Sequence, residues 1–181
     1  NNRSAGDFRI LGVVTAIDLT PNGTNENVGF FVQSLVADPD PLSSEALFVY
    51  TGTAPAVAVG DEVDVTGRVY EYFFHTRLDV TTPGASVSVE SSGNALPPPV
   101  VFDTQLPTPV PGLTDTTLSC DTTNFECFEN MWVSVPFGTV ITGNQRRTGD
   151  DYAQVFFVPS AERSVRERGI RYGVAPVVGD N

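Results

Sequence analysis

The stretch Val59-Gly-Asp-Glu-Val-Asp-Val-Thr-Gly-Arg-Val-Tyr-Glu-Tyr72 decides the fold. In it Val63, Val65, Gly67 and Val69 alternate with Asp64, Thr66, Arg68 and Tyr70. A period of two gives a strand with one face buried and one face wet. Gly60-Asp61 before it supplies a turn. The runs upstream are of the same kind. Phe8 to Asp18 is rich in β-branched residues and is interrupted by Gly12, which predicts a bent or bulged first strand. Val28 to Gln33 and Ala46 to Tyr50 give a second and a third strand, separated by the acidic loop 37–44. Downstream, 77–81 and 85–90 read as the two halves of a bent fifth strand. Five strands in about ninety residues, the first of them kinked, suit a small closed barrel.

The rest of the chain is punctuated differently. Residues 91–111 are rich in Ser, Gly and Pro, including Pro97-Pro-Pro99, and read as an extended connector. Short strands are expected at 131–135, 138–142 and 152–158. Residues 160–171 hold the one stretch with helical character. The resulting division is a barrel over 1–95, a connector and Cys loop over 96–125, and a β-rich extension over 126–181 ending in a short Arg-rich helix or tail. The chain stops at Gly179-Asp-Asn with no closing element, as a boundary inside a longer protein would.

Composition narrows the function. The 181 residues carry a net charge of −12, and the cations are all Arg. Residues 1–140 hold four Arg against seventeen Asp and Glu, whereas residues 141–181 hold six Arg against five acids. The first three quarters therefore repel a polyphosphate at long range, which disfavours strong sequence-independent DNA binding. With 40% apolar residues, wholesale disorder is excluded. No apolar run is long enough for a membrane-spanning helix, so no membrane partner is expected. Cys120 and Cys127 lie in one polar loop, with six residues between them and without metal-quartet spacing. A loop-closing disulfide is the first expectation for them, and two thiols in a reducing compartment the alternative.

Several segments together resemble a known family. They are Gly12-Val-Val-Thr-Ala-Ile-Asp18, Gly29-Phe-Phe-Val-Gln33, Asp38-Pro-Asp40, Ser44-Glu-Ala-Leu-Phe-Val-Tyr50, the stretch from Val59 to Gly67, and Val69 to Leu78. Their order is similar to the OB-fold region that precedes the catalytic domain in large bacterial extracellular nucleases of the endonuclease/exonuclease/phosphatase type. Phe128-Glu-Asn-Met-Trp-Val-Ser-Val135 looks like that family's Glu-Gly-Met-Leu-Val segment, with Asn130 in place of Gly. The match covers most of 10–80 and, thinly, 126–172. The resemblance implies an all-β chain with a five-stranded OB-like barrel, followed by a smaller β-rich extension or a second partial barrel. It also implies secretion, a multidomain parent, and nucleic acid handled mainly by a downstream metal-dependent domain. That domain needs His, Asp and Asn around a divalent metal, and a chain with a single His lacks its motifs.

The side chains then divide into candidate groups. OB folds bind oligomers on the face of strands 2 and 3, where aromatics stack bases or sugars. Phe31, Tyr50, Tyr70 and Tyr72 with Arg68 and Arg77 are the candidate ligand face. Phe30 and Phe31 must point to opposite sides, so one of them is core. Arg146, Arg147, Arg166 and Arg168 in the basic tail are candidate phosphate contacts, as are Arg163 and Arg171; the alternative is pairing with acids. Asp38 and Asp40 could offer hard oxygens to Ca²⁺, the one cofactor considered, although the EF-hand spacing is absent. His75 is the single histidine, and proton transfer by it would need a partner and a pocket. No nucleophile–base pair is evident, so no catalytic residue is assigned. The sequence thus reads as a noncatalytic binding or positioning module, with single-stranded or duplex nucleic acid as a weak ligand and neighbouring domains as partners. The alternatives are a structural or protein-interaction spacer and a carbohydrate-binding module.

Overall fold

The computed structural model describes residues 3–19, 28–39, 43–72, 75–102 and 128–140, together with the pairs 157–158, 171–172 and 175–176. The chain divides into two compact units, Asn1–Val100 with Thr114–Val133, and Val101–Leu113 with Ser134–Asn181.

The first unit is a closed five-stranded barrel with one additional strand. Its strands are β1 (Phe8–Asp18), β2 (Gly29–Gln33), β3 (Ala46–Tyr50), β4 (Glu62–Glu71), β5 (Thr76–Asp79) and β6 (Ser86–Ser91). Hydrogen bonding runs β1-β2-β3-β5-β4 and closes from β4 back to β1. Every pairing is antiparallel except β3 with β5. This is the strand order of an OB barrel. β1 and β6 pair the same span of β4 and so occupy its two edges. β5 and β6 therefore follow one another along a single edge, as the bent fifth strand predicted.

β1 serves two neighbours, which is what bends it. Residues 8–13 pair with β4 and residues 13–18 with β2. The expected irregularity at Gly12 falls instead between Val14 and Ala16, where Thr15 has no cross-strand partner. Gly12 marks the change of partner: a Cβ there would stand 2.7 Å from the Gln33 carbonyl oxygen, so only glycine lets the two backbones cross.

The alternation read in the sequence decides what is inside. Phe30, Val49, Leu78 and Val69 lie opposite one another across β2, β3, β5 and β4. The first three join Val14, Val32, Val63 and Val65 in the buried core, and Val69 packs against it. Burying each such side chain contributes about 1.5–3 kcal/mol.

The remaining described strands are short. They form the ribbons β7 (Val100–Val101) with β8 (Val133–Ser134), β9 (Thr139–Val140) with β10 (Phe157–Val158), and β11 (Arg171–Tyr172) with β12 (Ala175–Pro176). No α-helix occurs among the described residues. The helix expected at 160–171 falls almost wholly outside them, and Arg171 itself is in a strand.

Candidate functional site

The outward face of β2-β3-β5-β4 carries the side chains that alternate with the core. One row across it is Phe31, Phe48, Arg77 and Tyr70, each opposite the next. The adjoining row is Gly29, Tyr50, Asp79 and Arg68. The strands thus bring the six candidate ligand residues to one face, with Tyr72 just beyond the end of β4. The Arg77 guanidinium stands 4.4 Å from the Tyr72 ring centroid and 5.1 Å from that of Phe48. Phe31 and Phe48 are 5.0 Å apart, and Tyr70 and Tyr72 are 6.5 Å apart edge to face. A cation between aromatic rings is stabilised by their quadrupoles, the more so when desolvated.

This face is not an open platform. Arg77 retains only 5% of its exposure and Tyr70 6%, while Phe48 and Asp79 are fully buried. Phe31, Tyr50, Arg68 and Tyr72 are half-buried. Two segments of the same unit make contact here. The first is the chain start. The Arg3 guanidinium lies 5.2 Å from the Tyr70 ring centroid and donates to Asp79 Oδ2 at 2.6 Å. Ser4 exchanges bonds with the backbone of Val69.

The second is the turn Phe128–Met131, closed by the Met131 N–H donating to the Phe128 carbonyl at 3.0 Å. Asn130 sits in it with φ of 63°, the left-handed region that glycine and asparagine tolerate best. Unlike glycine, asparagine brings a side chain to this position. Asn130 Oδ1 is 2.5 Å from His75 Nε2, and its Nδ2 donates to the Thr76 carbonyl at 3.4 Å. Glu129 Oε1 accepts the Thr76 N–H at 3.1 Å, and the Glu129 carbonyl accepts from Ser44 Oγ at 2.5 Å. The Trp132 N–H donates to the buried Gln33 Oε1 at 2.7 Å. The turn is therefore tied to β2, to the residue chain entering β3, and to the start of β5.

His75 is fixed on both sides. Arg77 Nε can only donate, so His75 Nδ1 accepts its bond at 3.1 Å. The ring proton then belongs on Nε2, which donates to Asn130. The imidazole also rests 5.3 Å from the Phe48 ring centroid. In a catalytic triad, Nδ1–H faces a carboxylate that stabilises an imidazolium. Here Nδ1 faces a cation.

The carboxylates near the barrel ends are structural in geometry. Burial alone would raise the Asp79 carboxyl. Hydrogen bonds from the Thr81 hydroxyl and N–H, and then the Arg3 guanidinium, outweigh it and hold Asp79 below the usual carboxylate range. Asp61 is lowered by hydrogen bonds from Ser92 and from the Ala58 N–H. Asp64 is lowered by its hydrogen bonds from Arg9. Burial pushes the Tyr70 hydroxyl up.

The other expected groups fare as follows. Asp38 accepts from Ser43 Oγ at 3.1 Å, and its N–H donates to Glu45 Oε1; Asp40 lies outside the described residues. Among the described residues no three His, Cys, Asp or Glu side chains gather to hold a metal ion. Cys120, Cys127, Arg146, Arg147, Arg163, Arg166 and Arg168 also lie outside the described residues. Among the described residues no helix is long and apolar enough to cross a membrane, which leaves strands out of account. Sequence reading missed Arg3, Gln33, Phe48 and Asp79 as parts of this face. The period of two could have assigned Gln33, Phe48 and Asp79 to it, but nothing local marks Arg3. No family model, curated protein or solved structure matches the chain.

Proposed function

We propose that this chain is a noncatalytic positioning module of a secreted, nuclease-like multidomain protein, whose barrel uses the β2-β3 face to hold its own chain. The observation that carries this reading is the cover itself. Arg3 engages Tyr70, and Arg77 and Phe48 pack against His75, which Asn130 fastens to the turn. A free oligomer would have to displace both segments. The acidic surface opposes a polyphosphate as well. The secreted nuclease context comes from the resemblance of segments 10–80 and 126–172. His75, held between Arg77 and Asn130, serves position rather than proton transfer.

The test is a titration of fluorescently labelled single-stranded DNA with the full chain, at low and high salt. Expected is no saturable anisotropy change up to about 50 μM protein at low salt. Saturable, salt-sensitive binding at low micromolar protein, lost on Arg77→Ala, would make the face a nucleic-acid site and overturn the reading.

A further inference from the structure

The barrel wall offers a second surface, at the end of β2, that shares only Ser44 with the anchors of the covering turn. β2 ends at Gln33, opposite Val13 of β1. Beyond that point the chain leaves the sheet. Ser34 keeps one bond, its N–H to the Glu45 carbonyl at 2.9 Å, and its hydroxyl accepts the Val36 N–H at 3.2 Å in a tight turn. Leu35 and Val36 swing outward, 49% and 78% exposed. β1 continues without β2. Its residues Phe8–Gly12 pair with β4 along one edge, and among the described residues no strand pairs with the other.

A cleft of about 320 Å³ lies where β2 would have continued, with Ile10 and Leu11 on one wall and Ser34 and Ser44–Leu47 on the other. Leu11 is 59% exposed on its rim. Three features coincide there: an unpaired strand edge, a concavity walled mainly by apolar side chains, and exposed apolar residues beside it. Edge strands of natural proteins are normally blunted by charge, proline or a covering element. Here the one charge on the open span is Arg9, and it is spent on Asp64, which takes up Arg9 Nε and Nη2.

We propose that the β1 edge Phe8–Gly12 is a docking site for an extended peptide strand of alternating apolar and basic residues, supplied by a partner protein. The incoming strand takes the place in the sheet that β2 leaves. Its backbone pairs with β1, its apolar side chains enter the cleft between Ile10 and Leu47, and its cations meet Glu45. No cation pairs with Glu45 among the described residues, and the chain as a whole is strongly acidic, which selects a basic partner. Strand addition of this kind takes affinity from main-chain hydrogen bonds and specificity from alternate side chains.

The experiment uses the full chain, isotope-labelled, and capped octapeptides of alternating Val and Arg or alternating Val and Glu. A third peptide is the Val/Arg sequence methylated on alternate backbone nitrogens. Expected is that the Val/Arg peptide shifts the amides of Phe8–Gly12 and protects from exchange those among them that face the open edge. The Val/Glu and N-methylated peptides bind at least about tenfold more weakly, and Leu11→Arg weakens the Val/Arg peptide about tenfold. Leu11 lies outside the buried core, so the substitution leaves the core packing in place.

Absence of any effect on Phe8–Gly12 at about 1 mM Val/Arg peptide overturns the proposal. So does equal binding of the N-methylated peptide, which would mean an apolar cleft without strand pairing, or equal binding of the Val/Glu peptide. Protection of the same amides by raising protein concentration alone would assign the edge to a second copy and overturn the basic partner.

Discussion

Asn130 takes a left-handed backbone conformation, φ 63°, and from it presents its side-chain oxygen to His75 Nε2 at 2.5 Å. One residue thus makes the turn and fastens it to the start of β5. The two contributions separate by substitution. Asn130→Gly keeps the backbone freedom and loses the side-chain bonds, at a cost of about 1 kcal/mol. Asn130→Ala loses the same bonds and adds left-handed strain of about 1 kcal/mol. Urea unfolding is expected to rank the native chain above Asn130→Gly, and Asn130→Gly above Asn130→Ala. Equal stabilities for the two variants would mean that the φ of this residue is not fixed by the turn.

Acid should weaken the fold through Asp79. Its carboxyl lies below the usual range when folded and returns to about 3.9 when unfolded. Its contribution is complete above the unfolded value and is lost as pH falls through that value toward the folded one. Asp79→Asn removes the ion pair with Arg3 and should cost about 2 kcal/mol at pH 7. The deficit should shrink in unfolding measurements at about pH 3.5. A deficit unchanged between the two pH values would show that Asp79 is not an ionised partner of Arg3.

Gly29 has no room for a side chain. A Cβ there would lie 2.0 Å from the Val49 carbonyl oxygen and 2.8 Å from Phe48. Both are held in the sheet, and neither can yield cheaply. Gly29→Ala is expected to cost about 3 kcal/mol or more and to lower the melting temperature sharply. Gly6→Ala, where nothing lies within 4 Å, should leave the melt almost unchanged. Similar melts for the two would contradict the close approach of β2 and β3.

The barrel was legible in the sequence because its signals are local. Val63, Val65 and Val69 declare one buried face through their spacing alone, and the break between Thr81 and Ala85 announces the bend that separates β5 from β6. Alternation separated Phe30 from Phe31 but could not say which was inside; core packing chose Phe30. The cover was not legible. Asn130 meets His75 across 55 residues, Trp132 meets Gln33 across 99, and Arg3 meets Asp79 across 76. Each contact joins polar groups that turns and loops carry everywhere in the chain. Period puts Tyr70 on the side of β4 away from Val63, Val65 and Val69, and strand pairing sets Arg77 beside it. Their burial comes from tertiary contacts that period does not encode.

Trp132 is the single tryptophan, and its backbone N–H is bound to Gln33. Gln33→Ala removes that acceptor and should shift Trp132 fluorescence toward the exposed wavelength, at a cost of about 1 kcal/mol in stability. An unchanged spectrum would mean that the segment after the turn is held elsewhere.

The covered face is tested most directly by nuclear Overhauser contacts between the Asn130 side-chain amide and the His75 imidazole protons in the full chain. The account calls for clear cross-peaks, with the Glu129–Trp132 amides slow to exchange. Absence of these contacts, with those amides exchanging as freely as in an unstructured peptide, would contradict it.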